Sequence, residues 1–197
     1  MSNKHYKLWI MLLLIAVCGN VSAQTLKIRI TPTNSEIKVS GTSNIHDWEM
    51  MLKSFEISIT LKDVGETSAT ISATSFSGEA ASLESSYSLM TNKAQKALKA
   101  KENPLIIFKQ TEDVTINYAS GAAPVVIKGN LTIAGITQPI EIEAVGQKIG
   151  NDAFKATGSS KIKMSDFGIK PQTALLGTLK THDGVTINVD ITYNHVE

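Results

Sequence analysis

Cysteine is nearly absent: Cys18 is the only one in 197 residues. A disulfide framework is therefore excluded, and so is any C-x-x-C metal or redox motif. Aromatic residues are scarce at 6%, too few for the stacking platforms that hold single-stranded nucleic acid. Neither sign of charge dominates. The chain has 19 Lys and Arg against 18 Asp and Glu, a formal net charge of +1, so it lacks the basic field that grips a phosphate backbone. No apolar run approaches the roughly 20 residues a membrane-spanning helix needs. Catalytic templates are missing too. There is no G-x-S-x-G elbow, and Gly158-Ser159-Ser160-Lys161 lacks the earlier glycine of a phosphate loop.

What is present begins with an export pattern. Lys4 and Lys7 form a positive start, Leu8 to Val17 is a short apolar run, and Val21-Ser22-Ala23 offers small residues for cleavage. This arrangement predicts a signal peptide over residues 1–23, cut after Ala23, and a periplasmic or secreted protein. Residues 24–197 then form a single domain without a thiol, long enough to bury a core. Without Lys4 and Lys7 it carries 17 basic against 18 acidic residues. A lipoprotein reading through Cys18 is the weaker alternative, because Val17 fits poorly before an acylated cysteine.

The rest is mostly period two. Leu26, Ile28 and Ile30 alternate with polar neighbours, as do Ile37 and Val39, and then Phe55, Ile57, Ile59 and Leu61. The pattern recurs at Val125, Ile127, Leu131 and Ile133, at Phe154, Ala156, Ile162 and Met164, and from Val185 to Tyr193. Alternate side chains of a strand face opposite ways, so each run has one apolar and one wet face, the mark of antiparallel sheets. Turn signals separate the runs: Pro32-Thr33-Asn34, Asp63-Val64-Gly65, Gly121 to Pro124, Gly135 to Pro139, Gly150-Asn151-Asp152 and His182-Asp183-Gly184. About nine strand candidates in hairpin order predict an up-and-down barrel or a sandwich.

Two places break the period. Thr91 to Lys101 (TNKAQKALKAK) is rich in helix formers, with Met90, Ala94, Ala97 and Leu98 on one face and Lys93, Lys96 and Lys99 on the other. This predicts one amphipathic helix near residues 90–101, capped by Thr91 and ended at Asn103-Pro104. Its lysines are a solvated face on the plain reading, or a transient contact with a membrane surface on the second. The other break is a change of parity. Trp48, Met50 and Leu52 are apolar at even positions, whereas Phe55 to Leu61 are apolar at odd ones. A bulge or bend at Lys53-Ser54 would keep both sets inside.

Several motifs together resemble the YceI-like family. Ser40 to Trp48 (SGTSNIHDW) is similar to its N-terminal signature. Ser88-Leu89-Met90, Asn103-Pro104 leading to Phe108, Lys128 to Thr137 (KGNLTIAGIT) and Met164 to Ile169 (MSDFGI) follow in family order. The pattern is closest to a branch common among Bacteroidota, which PQTALLGTLK from Pro171 to Lys180 also resembles. The resemblance implies a lipocalin-like antiparallel up-and-down β-barrel of about eight strands. It also implies non-catalytic binding, transport or storage of a long apolar amphiphile: a polyisoprenoid, an isoprenoid quinone precursor or a fatty-acid-like lipid. Six positions in matched motifs become candidate ligand contacts: Trp48, Ile106, Phe108, Leu131, Ile133 and Phe167. A bound isoprenoid or other lipid is then the expected companion, with no separate cofactor, catalytic residue or metal ligand.

Three questions stay open at this level. The interior could be a filled core rather than a cavity. His46, Asp47 and His182 could serve a metal-dependent or hydrolytic activity at the barrel mouth, although adjacent His-Asp pairs lack the i, i+4 spacing of helical ligands. The barrel could also be a scaffold for protein interaction, and Ile107, Leu175 and Leu176 are candidate seeds of a homodimer contact.

Overall fold

The computed structural model describes residues 25–149, 153–174 and 178–194. The export pattern, the Gly150-Asn151-Asp152 turn signal, Leu175 and Leu176 lie outside them. Among the described residues, twelve of the thirteen strand segments build eight long antiparallel strands. β1 (Leu26–Ile30) and β2 (Glu36–Ser43) form the first, broken at Pro32. β3 (Asp47–Leu52) and β4 (Phe55–Lys62) form the second. β5 (Ser68–Glu79) and the short β6 (Leu83–Glu84) form the third, and β7 (Leu105–Gln110) with β8 (Val114–Asn117) the fourth. β9 (Ala122–Ile133), β10 (Ile136–Lys148) and β11 (Ala153–Lys163) follow. The last is β13 (Leu179–Asn194), after a loop that carries the two-residue β12 (Thr173–Ala174).

Each long strand pairs with the next in sequence. β13 then pairs with β2, Ile187 beside Val39 and Val189 beside Ile37, so the curled sheet returns to its first strand. This is the expected lipocalin-like up-and-down order. Closing a sheet in this way protects its edges, which matters in a chain rich in Val, Ile and Thr. β9 has 12 residues. At about 3.4 Å per residue and a tilt near 40° that makes a barrel about 30 Å tall.

Local sequence explains the bends. Lys53 and Ser54 fall between β3 and β4, where the Lys53 amide donates to the Ser82 carbonyl (3.0 Å) and the Ser54 amide to Ser82 Oγ (2.9 Å). The kink lets Trp48, Met50, Leu52, Ile57, Ile59 and Leu61 share the interior, with Phe55 buried in the same core, as the parity change predicts. A second bulge escaped the sequence reading. The β4–β5 register slips so that Thr60 meets Ala73 while Leu61 meets Ile71. Ala69 and Ile71 are thus inward at odd positions, Thr74 and Phe76 at even ones.

Three turn readings need correction. His182-Asp183-Gly184 lies within β13, where the ladder to β2 is irregular between Thr181 and Val185. Pro124 and Pro139 lie within β9 and β10 and not in turns. The described β7–β9 ladder begins at Gly129 and the β10–β11 ladder at Glu143, so each proline sits where its strand is locally an edge and needs no donor on that side. The actual β9–β10 turn is Ala134-Gly135, with φ of 51° and 82°. Positive φ at both residues suits the right-handed twist of a two-residue hairpin.

The helix, α1 (Ser88–Ala97), starts and ends earlier than predicted. Tyr87 is its N-cap without a side-chain bond, and Thr91 Oγ1 instead accepts from the Ser85 amide at 2.9 Å. Its end is set by Lys99 at φ 51°, with Lys99 N–H donating to Lys96 O and Ala100 N–H to Gln95 O. That is a Schellman closure made without glycine, several residues before Pro104. Gln95 Nε2 donates to the Ala81 carbonyl at 2.6 Å and ties the helix to the third strand.

Candidate functional site

The barrel is hollow. A cavity of about 1080 Å³ runs through it, at the top of the range for small-molecule sites. The wall is built by the inward set of every strand. On β9 this set is Ala123, Val125, Ile127, Leu131 and Ile133, and on β13 it is Val185, Ile187, Val189, Ile191 and Tyr193. Ile127, Ile142, Ile187 and Val189 face inward yet are only half-buried. In a filled core they would be fully covered; here their free surface looks into the cavity.

Up-and-down order fixes what stands at each end. At one end lie the β2–β3 turn, α1 and the described residues between β11 and β13. There Ser43, His46, Tyr87, Leu89, Met90, Lys93, Gln172 and Thr173 line the opening. Phe167 (2% exposed) packs below it from a short turn ended by Gly168 at φ 66°. At the other end lie Val64, Tyr118 and Phe154. Tyr118 and Phe154 meet edge to face at 6.4 Å, and the Tyr118 hydroxyl donates to the Gly65 carbonyl at 2.6 Å. Burial pushes the Tyr118 phenol above its ordinary pKa.

All six candidate contacts lie on the cavity wall: Trp48 on β3, Ile106 and Phe108 on β7, Leu131 and Ile133 on β9, and Phe167 at the α1 end. Two rings depend on glycine. A Cβ at Gly41 would stand 2.3 Å from the Trp48 ring, and one at Gly129 would stand 2.3 Å from Phe108. Each aromatic ring lies over bare backbone and is oriented by it.

The wall has a distinctive charge pattern. Among its described residues there is no Asp or Glu, and its basic groups are His46, Lys93 and Lys155. Lys155 is paired with Asp190 at 3.0 Å. Lys93, read from sequence as part of the solvated face, is half-buried at the cavity opening and makes no ion pair among the described residues. Helical spacing could not reveal this, because the opening lies beside the helix and admits a residue from its flank.

His46, Asp47 and His182 are not gathered as ligands. His182 Nδ1 is 2.8 Å from Thr42 Oγ1, and the His46 backbone is held by Ser43 in the β2–β3 turn. Among the described residues no three His, Cys, Asp or Glu side chains converge. Asp183 instead accepts from the Ser165 amide (2.8 Å) and hydroxyl (2.5 Å). The Ser165 side-chain bond, then its backbone bond, hold the Asp183 carboxyl below its usual range. Of the candidate dimer seeds, Ile107 is half-buried on β7.

Fold and cavity together define a lipocalin-like barrel built round an apolar interior. The sequence model of the YceI-like domain matches residues 28–193, and the chain belongs to that family. A UPF0312 protein of Pseudomonas paraeruginosa is 40% identical over 78 residues, 37% of this chain and 38% of that protein. Among solved structures, BcnA of Burkholderia cenocepacia superposes with a TM-score of 0.63 at 18% identity, covering 81% of this chain and 96% of BcnA. A polyisoprenoid-binding domain from Saccharophagus degradans, implicated in plant cell wall breakdown, gives 0.60 at 9% identity, covering 88% and 100%. The Campylobacter jejuni YCEI protein gives 0.54 at 21%, covering 75% and 85%. At these identities the structural likeness is one of fold.

Proposed function

We propose that this protein is a non-catalytic carrier or reservoir for a long apolar amphiphile held inside the barrel. The observation that carries the reading is the hollow, aliphatic interior of about 1080 Å³. Burying a hydrocarbon there gains about 0.8 kcal/mol per methylene, against the cost of ordering the chain. A polyisoprenoid, an isoprenoid quinone precursor or a fatty-acid-like lipid all meet this requirement. The polyisoprenoid-binding relative in fold supports the first of them.

The reading includes export: the positive start, apolar run and small residues before Gln24 support a periplasmic or secreted protein. It also includes a transient membrane contact at the α1 end. Tyr87 (71% exposed) and Leu89 (69%) stand uncovered beside the opening, and Lys96, Lys99 and Lys101 are exposed nearby. Apolar side chains ringed by lysines suit an anionic bilayer surface.

Native mass spectrometry of the purified protein, followed by solvent extraction, tests the proposal. The expected result is an adduct that is released as lipid. Protein that carries no lipid and takes up none from mixed detergent micelles would refute it.

A further inference from the structure

The wall's charge pattern narrows the ligand further, and the argument rests on the carrier reading above. A cavity lined by aliphatic side chains does not by itself choose between amphiphiles with neutral, cationic or anionic heads. Here the choice is made by what stands at the two ends. No described wall residue carries a carboxylate, so nothing in the cavity would neutralise a cationic head. Of the two wall lysines, Lys155 already has Asp190 as a partner at 3.0 Å. Lys93 has none among the described residues and is half-buried at the α1 opening, where a low local dielectric strengthens its attraction for an anion. His46 lines the same opening from the β2–β3 turn, and its imidazole can donate a hydrogen bond. The opposite end offers Val64, Phe154, Tyr193, which has a partner of its own, and Tyr118, whose hydroxyl is committed to the Gly65 and Ser68 carbonyls.

We propose that the amphiphile carries an anionic head, a carboxylate or a phosphate, and lies with that head at the α1 opening against Lys93 and its tail directed toward Tyr118. Lys93 supplies the charge, and His46 supplies a donor on the same opening. The exposed Lys96, Lys99 and Lys101 on the same segment add a positive field that draws anions toward the opening. The ligand therefore has one polar end and one direction of entry.

The test uses the purified protein freed of endogenous lipid on a hydrophobic resin, and two matched pairs of probes: palmitate with hexadecanol, and farnesyl phosphate with farnesol. Binding is read from Trp48 on the cavity wall; the sequence's other tryptophan is Trp9. At least one anionic probe is expected to bind about tenfold more tightly than its alcohol, the factor expected of one charge-assisted contact. The pair showing the larger gain identifies the head as carboxylate or phosphate. Lys93→Met should erase the gain of the acid over its alcohol, and Lys93→Arg should retain it. Equal binding of acid and alcohol by the wild type, or a preference that survives Lys93→Met, overturns the inference and leaves the carrier reading standing. If no probe of either kind binds, the carrier reading fails, and this inference with it.

Discussion

Placing tryptophan at two positions of one strand separates a hollow interior from a packed one. Ile127 and Leu131 both point inward from β9. Leu131 is 3% exposed and sits in the packed part of the wall beside Phe108, whereas Ile127 is half-buried and its free surface faces the void. Adding ring atoms to a filled core typically costs about 1–3 kcal/mol. For a domain of this size 1 kcal/mol moves the melting midpoint by about 2–4 °C. Leu131→Trp should therefore lower Tm by about 2–12 °C. Ile127→Trp pushes its ring into open volume and should stay within about 2–4 °C of wild type. Ligand at a hundredfold excess over Kd stabilises the wild type by about 2.7 kcal/mol, an upward shift of about 5–11 °C on the same scale. Ile127→Trp should lose that shift, because its ring occupies the ligand's path. Melts with and without palmitate or farnesyl phosphate measure both quantities. If Ile127→Trp is as damaging as Leu131→Trp, or retains the full ligand shift, the interior is not the void described above.

Other expectations follow from single contacts. Gly41→Ala places a methyl 2.3 Å from the Trp48 ring; it should cost about 1–3 kcal/mol and move the Trp48 emission, while unchanged emission would show that the ring does not lie there. Asp183 has a lowered pKa in the folded state, so its stabilising effect is present above the ordinary carboxylate pKa and is lost as pH falls through the lowered value. Ser165→Ala should raise the Asp183 pKa, seen by NMR titration, and the stability gap from wild type should shrink on acidification. Tyr118→Phe removes hydrogen bonds to the Gly65 and Ser68 carbonyls and should lower stability by about 1 kcal/mol. The folded-state phenol pKa is raised, so wild-type stability should fall as pH rises past the usual tyrosine range, and the variant should lack that component in an alkaline denaturation series. Mass spectrometry of the exported protein should find Gln24 at its N-terminus; an acylated Cys18 would contradict the cleavage reading.

Strand alternation made most of the barrel legible in the sequence, since one-sided apolar runs such as Val125 to Ile133 can only face a common interior. The bulge at Lys53-Ser54 was visible because large residues flank it on both sides. The slip in β5 was not, because Ser72, Ala73, Thr74 and Ser75 differ too little in polarity to mark which way each one faces. The six candidate contacts reached the wall for a general reason: in a barrel every inward residue lines whatever space remains. Lys93 was missed for the opposite reason. Its position follows from where α1 sits beside the opening, a tertiary fact that helical periodicity does not encode.

The pairing of β13 with β2 has a consequence for how the molecule comes into being. Every other long-strand pairing joins neighbours along the chain and can form as a local hairpin. Closure instead joins residues such as Ser40 and Asn188, 148 positions apart. A contact so distant in sequence carries a large loop-closure cost before it contributes any stability, and it slows folding accordingly. Until β13 docks, β2 lacks its partner on that side and the barrel cannot close. Any truncation that removes β13 leaves the first strand unpaired on that side and the interior open to water. Assembly is gated by the C-terminal strand, and the period before it docks is when a chaperone or an aggregating neighbour would compete for the edge of β2.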